Sequence, residues 1–174
     1  MSGNGTLQSG TVTEEAFRAI LRAFGLIKRN MDPYFTRYGI SGAQWGVLRA
    51  LYRAEQEGLV GLRLTDLGDR LLVRPPSVTT VVDRLEREGL VARRASATDR
   101  RAKHVSLAPA GQELVRRVME AHPGQIAHML GGLDLQEQAQ LLHLLDRLHA
   151  HLEGILESEP SQARTARAPR GKRA

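Results

Sequence analysis

Two adjacent prolines, Pro75 and Pro76, separate two stretches of helical periodicity, and they constrain the fold more than any other feature of the chain. Proline has no amide proton and a fixed φ, so such a pair ends one helix, and Pro76 suits the first turn of the next. Upstream, Leu64, Leu67, Leu71 and Leu72 recur at helical steps from a start near 63–65. Downstream, Val78, Val81, Val82 and Leu85 mark the inward face of a helix over 77–88, with Gly89 as its stop. Residues 90–94 and 103–107 have the pattern of two short strands, and the polar loop 95–102 joins them as a hairpin. Helix, tight turn, helix, strand, basic loop, strand is the order of a winged helix-turn-helix. The tight turn holds the second helix out, so that its N-terminal half can enter a major groove about 12 Å wide. The hairpin beside it can reach an adjacent minor groove or the phosphates.

The flanking segments are helical. Phe17, Ile20, Leu21, Phe24, Ile27, Met31, Tyr34, Phe35 and Tyr38 recur at three- and four-residue steps over 12–38. Pro33 predicts a kink there, or a break with Asp32 capping a second piece. Ser41 and Gln44 form a capping box that opens a second helix through Trp45, Leu48, Leu51 and Tyr52. Pro109 begins another helix, which Pro123 and Gly124 are expected to disturb. Asp134 and Glu137 form a second capping box, ahead of a Leu-rich amphipathic helix through Leu141, Leu145, Leu148 and Leu152. The expected organisation is a flexible segment 1–11, one domain over 12–158, and a disordered basic tail over 159–174.

Charge is useful here only locally. The chain carries +6, but its last fifteen residues hold five Arg or Lys and no acid, which leaves 1–159 at +1, 20 basic against 19 acidic. Between Arg93 and Lys103 there are five basic residues and one acid, a strip suited to phosphates. On the 77–88 helix, Ser77, Thr79 and Thr80 offer hydroxyls to bases or phosphates, and Arg84, on the same side as Thr80, can take guanine bidentately. In the hairpin, Arg94, Arg100, Arg101 and Lys103 are candidate DNA contacts, with Asp99 holding a neighbouring guanidinium in place. The plainer alternative is a solvated helix face with Ser77 as a cap, and an exposed turn with an incidental charge pair.

The run from Ser77 through Val91, the Asp99-Arg100-Arg101 wing and the following Val105-Ser-Leu-Ala-Pro-Ala-Gly111 resemble the MarR family of transcriptional regulators. The resemblance extends over about 12–155. Ala108 departs from it where threonine is usual, which touches a helix cap, and the doubled Pro75-Pro76 departs at the first turn of the reading helix. The resemblance implies a mainly α fold with a small β-hairpin wing, assembled as a triangular homodimer. Helices over 12–38 and 109–157 would interlock between chains, and the DNA-binding part would span about 41–107. It implies a repressor of double-stranded DNA, reading a pseudo-palindrome and released by a small aromatic or phenolic effector. All seven aromatic residues lie between Phe17 and Tyr52, and Tyr34, Tyr38 and Trp45 are the candidate ligand contacts; core and dimer packing is the alternative for them.

Other classes find little support. The chain has no cysteine, which removes disulfides, thiolate metal sites and thiol redox sensing. Six histidines form no i, i+4 pair, so no metal site is expected and surface or interface positions are. No phosphate-binding glycine loop or nucleophile elbow points to an enzyme. No apolar run of about 18 residues and no signal peptide are present, so a cytoplasmic location without membrane contact is expected. A non-specific nucleoid-type DNA-binding or scaffold protein without an effector is the rival reading.

Overall fold

The computed structural model describes residues 9–71, 75–95 and 103–165. Within them the order is α1 (Ser9–Thr36), α2 (Gly42–Gln56), α3 (Leu64–Leu71), α4 (Pro75–Arg87), β1 (Val91–Ala95), β2 (Lys103–Leu107), α5 (Pro109–Leu130) and α6 (Leu135–Thr165). The expected turn residues Val73 and Arg74, the wing residues Asp99, Arg100 and Arg101, the first eight residues and the last nine lie outside the described residues. The chain divides into two compact units on either side of the Pro123–Gly124 bond.

In the first unit α2 is the central helix. It packs on α1, α3, α4 and β2. Gln44, Trp45, Val47, Leu48, Ala50, Leu51 and Ala54 are all buried, a wider face than a surface helix needs. The Ser41–Gln44 capping box forms in both directions and fixes where this helix begins. From α4, Val78, Val82 and Leu85 enter the same core at i, i+4 and i+7 and are essentially inaccessible to water. Gly89 sits at φ 71°, in the left-handed region that ends the helix, and Leu90 N–H returns to the Leu85 carbonyl at 2.9 Å.

Pro33 neither breaks α1 nor starts a second piece. The helix runs through it to Thr36. Proline this close to the helix end removes only one backbone bond, and the flanking Met31, Tyr34 and Phe35 are buried. Pro123 likewise lies inside a continuous α5. The α1 helix begins at Ser9, earlier than the expected flexible segment allows, and α6 continues to Thr165, past the expected boundary at 159. Ser, Gln, Ala and Arg at 161–164 are compatible with helix.

The strands β1 and β2 pair antiparallel, with Arg93 opposite Val105 and Arg94 opposite His104. Leu62 extends the sheet by one bridge, trading hydrogen bonds with Val105 at 2.9 and 2.8 Å. The bridge requires Gly61, where a Cβ would lie 2.7 Å from the Val105 carbonyl oxygen. The hairpin is tied to α5 through Leu90, whose carbonyl accepts from Ala108 N–H at 3.0 Å. That approach leaves no room at Gly111, where a Cβ would stand 2.0 Å from the same oxygen.

In the second unit, Asp134 and Glu137 cap α6 reciprocally, each side chain accepting from the other's backbone N–H at 2.8 Å. Gln138 closes the turn by donating to the Leu133 carbonyl at 2.9 Å. Along α6, Leu141, Leu142, Leu144, Leu145, Leu152 and Ile155 are exposed. Among the described residues no helix is long and apolar enough to cross a membrane.

The close approach at Gly111 predicts that Gly111→Ala costs about 3 kcal/mol, because the methyl group meets backbone rather than a mobile side chain. Thermal unfolding should show Tm lowered by roughly 6–12 °C, and a Tm within about 2 °C of the parent would contradict it.

Candidate nucleic-acid interface

With Val78, Val82 and Leu85 directed into the core, the 3.6-residue repeat turns Ser77, Thr80, Asp83, Arg84 and Arg87 outward. Ser77, Thr80 and Arg84 are exposed and Thr79 is half-buried. Of the expected helix contacts, three therefore share one open face and the fourth lies at its edge. Arg87 belongs to the same face, one i+7 step from Thr80, and reading the periodicity one turn further would have found it. Its Nε donates to the Asp83 carbonyl of its own helix at 3.4 Å.

Arg84 is held differently. Its Nε donates to Glu88 Oε1 at 2.9 Å, and Glu88 Oε2 accepts from Gln44 Nε2 at 2.7 Å. Gln44 is only 2% exposed. Its carbonyl oxygen in turn accepts from Ser41 N–H at 2.9 Å.

The wing strands divide the basic strip by alternation. Arg93, on the face of β1 shared with Val91, turns back onto α4. Its guanidinium pairs with Glu86 and, at 2.5 Å, with Asp83. Burial works to lower its pKa, and the two carboxylates more than offset this, so it is held above the ordinary value. Arg93 is a clamp between strand and helix, whereas its place in the strip suggests a phosphate neighbour. Arg94, on the opposite face, is exposed. Lys103 pairs in register with Ala95, and the expected Asp99, Arg100 and Arg101 positions lie outside the described residues.

The aromatic residues gather in two ways. Tyr34, Phe35, Trp45 and His122 form a buried cluster, with the His122 ring 5.4 Å from Trp45 and 5.8 Å from Tyr34. Tyr34 donates its hydroxyl to the Val118 carbonyl at 3.1 Å, and burial, followed by its contact with Tyr38, pushes its pKa up to about 12. Tyr38 is half-buried, edge-on to Tyr34. Trp45 also lines an open cavity of about 350 Å³ with Arg49, Ala50, Arg53 and Leu71. The carboxylate at its rim, Glu57, is engaged by Arg70 through two hydrogen bonds of 3.0 and 2.6 Å, which holds its pKa low. Arg49 has no ion pair among the described residues. Burial and the neighbouring Arg53 both lower its pKa.

His122, expected at the surface or an interface, is buried, and its Nδ1 has no hydrogen-bond partner among the described residues. Burial, with Arg49 nearby, lowers its pKa.

This architecture defines a winged helix-turn-helix protein, the class that holds one helix out for duplex DNA. Residues 38–102 match the model of the MarR family. The chain is 30% identical over 125 residues to the HTH-type transcriptional repressor MdtR of Bacillus subtilis, covering 72% of this chain and 77% of that one. Among solved structures, it superposes on MepR of S. aureus in complex with DNA with a TM-score of 0.66 at 25% identity, covering 79% and 96% of the two chains. It superposes on AbsC of Streptomyces coelicolor with a TM-score of 0.73 at 21% identity, covering 85% and 97%. The chain belongs to the MarR family and is a DNA-binding transcriptional regulator.

His122 makes stability depend on pH. Burial disfavours its protonated form in the folded protein, so unfolding takes up a proton as the pH falls below its ordinary value of 6.5. The contribution is complete above that value and is lost as the pH drops through it toward the lower folded pKa. Tm should therefore fall between about pH 7.5 and 5.5, and His122→Phe should flatten that slope. An unchanged slope in the variant would show that other groups carry it.

Proposed function

We propose that the protein is a cytoplasmic repressor that binds a pseudo-palindromic operator as a homodimer and is released by a small aromatic ligand. The observation that carries the DNA-reading part is the division of α4: Val78, Val82 and Leu85 are buried while Ser77, Thr80 and Arg84 lie open on the other side. In this reading Thr80 and Arg84 contact base edges, and Ser77 and Thr79 contact bases or phosphates near the helix start. Arg94, Lys103, Arg100 and Arg101 take phosphates and the minor groove, with Asp99 steadying the wing. The carboxylates Asp83, Glu86 and Glu88 near the same helix weigh against a purely electrostatic nucleoid role, since they repel phosphate wherever it is not matched in register. MdtR, a named repressor, supports the sign of regulation.

A second copy of the chain is the natural cover for two exposed apolar faces. One is Phe17, Leu21 and Phe24 on α1; the other is Leu142, Leu145 and Leu152 on α6. Each places three large apolar side chains at helical spacing in water, the kind of face that a two-fold partner covers. For the effector, the support is the cavity beside Trp45. Its indole offers a stacking surface and Arg49 a charge without an ion pair among the described residues, which together suit a planar anion. Tyr34 would act behind Trp45 through Phe35 and His122, which touch both rings, and Tyr38 would act through Tyr34.

Two measurements test these parts separately. Fluorescence anisotropy on operator and unrelated duplexes should show Arg100→Ala with Arg101→Ala weakening both, and reducing the salt slope by about one for each phosphate that is no longer neutralised. Thr80→Ala or Arg84→Ala should instead relax the choice of base at one or two positions, by about 1–3 kcal/mol each. Binding unchanged by every one of these variants would refute the assignment of these side chains to DNA. For the effector, titration with phenolic acids should change Trp45 fluorescence and lower operator affinity together. A panel that moves neither signal would rule out such an effector.

A further inference from the structure

Resting on the reading of α4 as the DNA-reading helix, we infer that Gln44 and Glu88 are positioning residues that set the base preference of Arg84, so that part of the protein's sequence specificity resides in α2. The relay begins in the core. Ser41 N–H donates to Gln44 Oε1 at 2.9 Å, which leaves the amide NH₂ of Gln44 facing the other way. That group donates to Glu88 Oε2 at 2.7 Å. Glu88 Oε1 then accepts from Arg84 Nε at 2.9 Å. Each link uses a donor against an acceptor, and a flipped amide on Gln44 would break two of them. Because Gln44 is buried, the anchor cannot swing with solvent.

This arrangement has a chemical consequence for Arg84. Occupying Nε leaves the terminal edge of the guanidinium, Nη1 and Nη2, free of hydrogen bonds among the described residues. That edge carries the two parallel donors that match guanine O6 and N7. An exposed arginine without a tether samples many rotamers and satisfies phosphates as readily as bases. One fixed through Nε is preorganised for a single edge-on geometry. Among the described residues Arg87, on the same face, has no such tether, only a long hydrogen bond to its own helix backbone. The carboxylate of Glu88 also opposes phosphate, so its electrostatic effect and its positioning effect have opposite signs and can be told apart.

The test measures discrimination at the base pair that Arg84→Ala makes indifferent, using the full-length protein and duplexes carrying each base pair there. Glu88→Ala should cut that discrimination about five- to tenfold, while affinity for unrelated duplex at the same salt stays equal or rises. Gln44→Met should do the same to a smaller extent. Glu88→Gln should be intermediate, since its one oxygen can serve Arg84 or Gln44 but not both. None of these changes should alter discrimination once Arg84→Ala is present. The inference is overturned if Glu88→Ala keeps full discrimination, if it acts equally without Arg84, or if affinity for all duplexes falls in step with Tm. If Thr80→Ala relaxes base choice while Arg84→Ala does not, the relay is wrong and α4 still reads DNA. If neither does, the reading of α4 has failed as well.

Discussion

Everything the first unit presents to a partner depends on how α4 is seated. Its inward stripe, Val78, Val82 and Leu85, is buried against a core built around α2. Each such side chain contributes about 1.5–3 kcal/mol when fully removed from water, which is enough to set the rotation of the helix about its axis. Helical geometry then leaves no choice about the other face: a helix turned by one residue would put Thr79 or Val81 where Thr80 now stands. The functional surface is thus a by-product of apolar burial on its far side.

Polar interactions refine what burial sets. The pair of hydrogen bonds between Leu62 and Val105 ties the hairpin to the segment before α3, and the close approaches at Gly61 and Gly111 let backbone meet backbone there. Arg93 adds a charge clamp from β1 to α4, so the wing is joined both to the segment before α3 and to the reading helix. The Gln44–Glu88 hydrogen bond reaches the end of α4 from α2. Reading helix and wing are therefore held by different groups from those offered to DNA, which lets the exposed face carry chemistry without carrying the fold.

Much of this was legible in the sequence because it is local. Three of the four apolar steps of α4, the stop at Gly89 and the two capping boxes depend on residues within a turn or two of one another and lie where the pattern puts them. Val81, by contrast, is only half-buried, and the helix begins at Pro75, two residues before the expected start. What was not legible depends on distance along the chain. Arg93 sits in a basic strip and looks like a phosphate ligand until its partners, seven and ten residues away on another element, are seen. Gln44 announces itself as a cap, but its link to Glu88 spans 44 positions. His122 is polar and lies next to Pro123, both surface signals, yet three aromatic rings enclose it. Pro33 and Pro123 do not break their helices, which are continuous through them: a single missing hydrogen bond is a small loss beside the burial that flanks Pro33.

The most direct measurement is selection of bound duplexes from a random pool by the full-length protein, followed by alignment of what is retained. Two copies presenting α4 to successive major grooves should enrich an inverted repeat whose half-site centres lie about one helical turn, ~34 Å, apart. Recovery of unenriched DNA, or of a single asymmetric site with no second half, would contradict a paired reading helix.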